Sequence, residues 1–431
     1  MKPSLCAVAA SLYLTEYTLY SNSSSAVLLN SAVAAYFDIP FAQAAYIGVA
    51  FLAGFCLALL PAGQLSHRWS PTSAFFTGSA ALALLGLAAG LSPEFWVLIA
   101  LRFSQGIASA VLAPQIFRII RAQFYPDHHS AVLGAWGLVV SASALCSPLI
   151  TAVLNDLWGW RSFPYETTVT TVVAMVLLGL APMRRGDADP GASATREALP
   201  VVGLATAQLA IFLTIGWSGA LQVKVALLAL ATLLGVAVIV LRRQSQSPVV
   251  AKSLVVVFVA GVATNIFTLS TVFVLQQLRG LSSYTAALFL LPMAFLAGLI
   301  PVLRFGRPGD NRKSTRLICV GSVFLIVAGL SLPTQLLLIS AALMGAAMGF
   351  LWSSLASIVL TNSTQIAFDS SLYHYLRALG AAIGVAAGAT MIDGLGTHLP
   401  GGAAAAITLI GVVATVTARS AWKTTRLVSP R

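Results

Sequence analysis

Apolar residues run along this chain in successive blocks divided by short polar stretches, at approximately 11–35, 43–64, 73–91, 95–119, 131–154, 166–183, 200–217, 221–241, 253–276, 283–303, 316–332, 335–360, 371–392 and 402–420. At a rise of about 1.5 Å per residue, blocks of this length cross a hydrocarbon core of roughly 30 Å as helices. Backbone groups in hydrocarbon must be satisfied within the chain, which leaves helices or a closed barrel. Unbroken apolar runs such as 225–241 lack the alternation of barrel strands. The pattern predicts an all-α polytopic membrane protein with fourteen spans.

Composition agrees, with 58% hydrophobic and 8% charged residues against about 25% charged in soluble proteins. The distribution of charge adds more. With the N-terminus in the cytoplasm, nineteen Lys and Arg fall on that side, among them Lys2, Arg68, Arg118, Arg184, Arg242, Arg304, Arg312 and Arg426, and only Arg161, Lys224 and Arg279 fall opposite. This bias predicts cytoplasmic termini and a multi-pass cell-membrane protein, in the inner membrane where a cell has two. It also assigns the basic excess to topology, not to nucleic acid. The segment after Lys2 is read as the first helix, not as a cleaved signal. A Pro-, Ala- and charge-rich linker at 184–199 follows a six-span unit at 1–183. Two spans at 200–241 come next, then six spans and a short cytoplasmic tail at 242–431.

No stretch outside the blocks is long enough for a soluble domain, and no Gly-rich phosphate loop ending in Lys and Ser/Thr is present, so a nucleotide-driven pump is excluded. Cys6, Cys56, Cys146 and Cys319 stand far apart, and His128-His129 has no spaced partners, so no metal, disulfide or cofactor is expected. No motif groups Ser, His and an acid for catalysis, and an enzyme is not expected.

Charges inside spans are costly, about 2.5–3.5 kcal/mol each on insertion scales, so each calls for a reason. Glu16 falls within the first block and is the leading proton-coupling candidate, unless the span begins near Tyr13 and leaves it at the interface. Arg102 lies two turns into the fourth block, where a guanidinium can bind an anion, orient a carboxylate or anchor helix ends. Gln105 follows one turn along. The polar run Tyr20-Ser21-Asn22-Ser23-Ser24-Ser25 must face a cavity or another helix, and Asn22 and Asn30 are read as cavity-lining candidates on one approximate face. Asp156, Glu166 and Asp393 are read as loop-solvating. His374 and Arg377 form an interfacial cluster with Asp369. Gly86 with Gly90, Gly345 with Gly349, and Gly380, Gly384 and Gly388 repeat at four-residue spacing, which lets helices approach closely in lipid.

The run Arg102-Phe103-Ser104-Gln105-Gly106, continued by Ala108, Ala110 and Pro114, resembles the Arg-x-x-Gln-Gly motif of drug exporters in the major facilitator superfamily. Gly134-Ala135-Trp136-Gly137, the small-residue stretch through Ser147 to Pro148, and Trp158-Gly159-Trp160-Arg161 resemble the antiporter motif of the fifth helix and the loop beyond it. Gly63-Gln64-Leu65-Ser66-His67-Arg68 stands at the superfamily's loop between helices two and three. Arg377-Ala378-Leu379-Gly380 with Gly384 resembles the penultimate helix. The resemblance covers nearly the full length and implies the fourteen-helix drug:proton antiporter branch, with two six-helix bundles and two additional helices. It implies a relay or gating part for Arg102, and gating or structural parts for Gly63, His67, Arg68, Gly106, Pro148, Arg377, Gly380 and Gly384. The chain departs from the pattern at His67, where the family carries an acid, at Asn22, where it commonly carries Asp, and at Ser147, Thr151 and Ala152, where it carries glycines.

The expected function is proton-coupled export of small amphipathic compounds by alternating access. The partners would then be a small-molecule substrate, protons and the bilayer, with any periplasmic adaptor unknown. Two alternatives stay open: a metabolite importer or uniporter of the same fold, and a membrane sensor or scaffold that does not transport.

Overall fold

The computed structural model describes residues 3–65, 69–181, 248–303, 311–332, 336–362 and 366–428. The linker, the two additional blocks at 200–241, and His67 and Arg68 lie outside the described residues, so the expectation of fourteen spans meets no test there.

Twelve long helical segments are described. The first, α1 (Pro3–Ser24), continues through a 3₁₀ turn at Ser25–Leu29 into a helix at Asn30–Phe37. A single helical turn, Phe41–Ala44, leads into α2 (Tyr46–Leu65). They are followed by α3 (Pro71–Gly90), α4 (Phe95–Gln123), α5 (Pro126–Trp158) and α6 (Ser162–Gly179). The later segments are α7 (Pro248–Phe273), which ends in a π turn at Val274–Leu278, α8 (Ser283–Leu303), α9 (Asn311–Ser331), α10 (Leu337–Asn362), α11 (Ile366–Leu395) and α12 (Leu399–Val428). Among the described residues, seven helices are long and apolar enough to cross a membrane. α1 and α6 are not among them, because hydroxyl, amide and carboxyl side chains are spread through their apolar residues.

Local signals account for several ends. Ser70 caps α3 by accepting a hydrogen bond from the backbone N–H of Ser73 at 3.1 Å, and Pro71 occupies the first turn, where its missing N–H is not needed. α5 likewise begins at Pro126 and stops at Gly159, whose φ of 76° and ψ of 177° belong to a region that only glycine adopts readily. Several helices outrun their apolar blocks: α5 by five residues at its start and α12 by eight at its end. Hydropathy marks where the chain meets hydrocarbon, whereas the helical hydrogen bonds continue into the aqueous ends.

The chain divides into two compact units, Met1–Ile39 with Ala50–Thr206, and Pro40–Val49 with Ala207–Arg431. In the first, α1 packs on α5 and α6, and α3 packs on α4 and α6. In the second, α7 packs on α11 and α12, and α9 packs on α10 and α12. The pairing is the same in both. Glycines occupy matching crossings as well: Gly78 of α3 meets Leu112 of α4 as Gly321 of α9 meets Leu351 of α10, and Gly86 and Gly329, each eight residues further on, meet α6 and α12. A repeat of six helices is therefore built into the chain.

Candidate functional site

In the first unit, Ser11, Thr15, Thr18 and Asn22 of α1 are all buried. Their spacing of four, three and four residues puts them on one helix face. That face meets α6 as an antiparallel polar seam. Ser11 Oγ donates to the carbonyl of Ala174 at 2.6 Å, Thr18 Oγ1 donates to Thr170 Oγ1 at 2.9 Å, and Asn22 Nδ2 donates to Thr167 Oγ1 at 3.0 Å. In a medium without water each polar group needs such a partner.

Arg102 reaches this seam from α4. It is 3% exposed; one terminal nitrogen donates to Asn22 Oδ1 at 2.6 Å and to Gln105 Oε1 at 2.8 Å, and the other donates to the backbone carbonyl of Asn22 at 2.8 Å. The guanidinium lies 4.8 Å from the ring centre of Phe51 and 5.3 Å from that of Phe163, within the range of cation–π attraction. Because guanidinium only donates, the Asn22 amide must present its oxygen to Arg102 and its nitrogen to Thr18 O and Thr167 Oγ1. Gln105 also turns its oxygen to Arg102. Its Nε2 is left buried with no partner.

The structure thus unites Asn22, Arg102 and Gln105, and adds Thr18, Thr167, Phe51 and Phe163, which the sequence reading did not single out. The Thr167-Thr168-Val169-Thr170-Thr171 run in an apolar block was the available signal. Gly106 permits the approach of α4 to α2, since a Cβ there would lie 2.1 Å from the carbonyl oxygen of Phe51. Gly380 and Gly384 do the same for α11 on α7, against the carbonyl oxygens of Phe258 and Val262. Pro148 lies inside α5 and Gly63 near the end of α2. Arg377 is exposed on α11. His374 lies beside it and stacks edge-on against Tyr373.

Asn30 does not share the face of Asn22. The 3₁₀ turn between them advances about 120° per residue instead of about 100°, which carries Asn30 roughly half a turn from Asn22. Asn30 is buried, and neither atom of its amide has a partner. Glu16 is half-buried on α1, six residues before Asn22 and rotated roughly 120° from it. Asp156 and Asp393 are exposed, but each stands in the last turn of a helix, α5 and α11, and not in a loop. Glu166 corrects the sequence reading. It is no loop residue but stands in the second turn of α6, where its Oε1 accepts a hydrogen bond from the Tyr17 hydroxyl at 2.5 Å. The apolar block begins at this residue, so hydropathy alone placed it at an edge that the helix passes by four residues.

Where α3 ends and α6 begins, Arg161 donates from Nε to the carbonyl of Gly90 at 3.0 Å and from a terminal nitrogen to the Tyr36 hydroxyl at 2.9 Å. It stacks on Tyr36 and Trp160. A cation at the end of α3 satisfies a carbonyl that the helix leaves open.

Bundled apolar helices around a buried cationic and amide cluster are the build of a helical membrane protein. The Major Facilitator Superfamily profile matches residues 10–385. The chain belongs to that superfamily, and is a multi-pass membrane transporter, not an enzyme. It is 26% identical to an uncharacterised MFS-type transporter of Mycobacterium tuberculosis over 93% of this chain and 72% of the relative. It is also 26% identical to the tetracenomycin C resistance and export protein of Streptomyces glaucescens, over 40% of this chain and 32% of that protein. With the multidrug export protein EmrB of Escherichia coli, 28% identity extends over 33% of this chain and 27% of the relative. The chain thus matches less than a third of the length of each of these two named exporters. The fold is shared with a crystallised peptide transporter, POT, at a TM-score of 0.66, 16% identity, and coverage of 98% of this chain and 94% of that one.

Proposed function

We propose that this protein exports small amphipathic compounds in exchange for protons, by alternating access, with both termini in the cytoplasm. The observation that carries the reading is the buried Arg102 and its hydrogen bonds to Asn22 and Gln105. A cation in a membrane-spanning helix faces the bundle interior and marks a substrate or proton path. Gln105 Nε2, buried without a partner beside it, is a group that an opening of the helices would offer to carbonyl or hydroxyl groups of a substrate. Relatives named for resistance to tetracenomycin C and for multidrug export support the export direction. The nineteen-to-three split of Lys and Arg supports the orientation. The branch with two additional helices is supported by the apolar blocks at 200–241. Glu16 and Arg102 remain the coupling candidates that the sequence nominates.

Inside-out vesicles from cells expressing the full chain test the reading, with tetracenomycin C and ethidium as probes. Accumulation that a protonophore abolishes is expected. Counterflow indifferent to the proton gradient would replace export by uniport. Absence of any substrate-dependent change in cysteine accessibility would favour a sensor.

A further inference from the structure

The carboxyl of Glu166 sits among α1, α5 and α6. Oε1 accepts from Tyr17, whereas Oε2 is buried and has no hydrogen-bond partner. Thr151 of α5 faces this carboxyl, and its buried hydroxyl is likewise without a partner at bonding geometry. Two orphaned polar groups thus confront each other in an apolar setting, where each unmade hydrogen bond costs about 1–3 kcal/mol.

Two arrangements close this contact, and a proton distinguishes them. On Oε2 it makes the acid a donor toward Thr151 Oγ1 while Oε1 keeps the bond from Tyr17. When it leaves, the carboxylate has two acceptor oxygens, and the Thr151 hydroxyl can turn to donate. Either protonation state can be satisfied, but with the hydroxyl of α5 oriented oppositely. A chain of hydrogen bonds also connects the backbone of Glu166 to the buried cation. The Glu166 backbone carbonyl accepts from Thr170 Oγ1, Thr170 accepts from Thr18, and the Thr18 carbonyl accepts from Asn22, which holds Arg102.

We propose that Glu166 is the carboxyl that binds and releases the exchanged proton on Oε2, with Tyr17 and Thr151 as its positioning residues. The step is a simple transfer: a proton from water adds to the carboxylate, and the neutral acid returns it. The titratable surroundings are few. α1 presents Tyr17 and carries Glu16 next to it, α5 brings Cys146 near Tyr17, and α3 has no titratable side chain between Pro71 and Gly90. Thr151 stands where the superfamily pattern noted above has a glycine.

The proposal rests on the proton-exchange reading, and its primary test needs no substrate. Infrared difference spectra of the full chain in lipid, recorded between high and low pH, should show a carboxylic-acid carbonyl band. Glu166→Gln should remove it, Glu166→Asp should displace it, and Thr151→Val should shift its frequency as the acid loses its acceptor. A band that Glu166→Gln and Glu166→Asp both leave unmoved, or one lost only in Glu16→Gln, overturns the proposal. Should Glu166→Gln fail to fold by circular dichroism, Glu166→Asp alone decides. In vesicles, Glu166→Gln should lose at least tenfold in gradient-driven tetracenomycin C accumulation but keep counterflow; retained gradient drive overturns it. A wild-type chain without gradient drive would instead remove the export reading, and the infrared result would still stand.

Discussion

Asn22 offers Arg102 two acceptors, its amide oxygen and its backbone carbonyl, and the side-chain one can be removed or strengthened at will. Asn22→Ala leaves a buried guanidinium short of an acceptor and two hydroxyl-bearing neighbours without the amide. A loss of about 1–3 kcal/mol is expected, read as a lower unfolding midpoint in detergent. Asn22→Asp restores the acid that the family pattern carries there and gives Arg102 a charge-assisted bond at the same 2.6 Å position. It forfeits the Nδ2 donor to Thr18 O and Thr167 Oγ1, so its midpoint should lie above that of Asn22→Ala and close to that of the wild type. Arg102, Gln105 and Asn22 were legible because Arg and Gln fall one helical turn apart within a recognisable run, and Asn22 interrupts an apolar block. Glu166 was not, since a residue at the first position of such a block reads equally as loop or helix. Partners across helices, such as Thr167 and Phe163, depend on which faces meet, and no single block contains that information.

Between elements, backbone approach and hydroxyl bonding hold helices together where lipid supplies no hydrophobic drive. Gly106→Ala would bring a Cβ to 2.1 Å from the Phe51 carbonyl oxygen, so α2 and α4 must part. Overpacking of this kind costs about 1–3 kcal/mol. Gly48, which has open space around it, provides the comparison. Gly106→Ala should lower the unfolding midpoint and the yield of folded protein, and Gly48→Ala should leave both near wild type. Thr167→Val removes the hydroxyl that receives Asn22 Nδ2, and a smaller loss of about 0.6 kcal/mol is expected from the same thermal assay. The existence of these helices was plain in the apolar blocks, and the four-residue glycine spacing announced close crossings. The 3₁₀ turn at Ser25–Leu29 was hidden, because Ser-Ala-Val-Leu-Leu contains neither Gly nor Pro to mark a break. Its rotation is what separates Asn30 from the cluster.

Across the whole molecule, two units repeat one pattern of helix pairing, which is the architecture that alternating access uses. The sequence carried this symmetry only as paired small-residue patterns, too diffuse to reveal which helices correspond. Orientation is a separate matter, governed by short-loop charge. A C-terminal green fluorescent protein fusion should be fluorescent and a C-terminal alkaline phosphatase fusion inactive; the reverse would place the tail outside. The central claim concerns exchange, and it is tested most directly by following probe and proton in one preparation. Purified full chain is reconstituted into liposomes with a pH-sensitive dye inside, an acidic lumen is imposed, and tetracenomycin C is added outside. The expected result is uptake of the probe above protein-free vesicles, together with a probe-dependent rise in lumenal pH. Probe uptake at the same rate with and without the gradient, and with no change in lumenal pH, would contradict it.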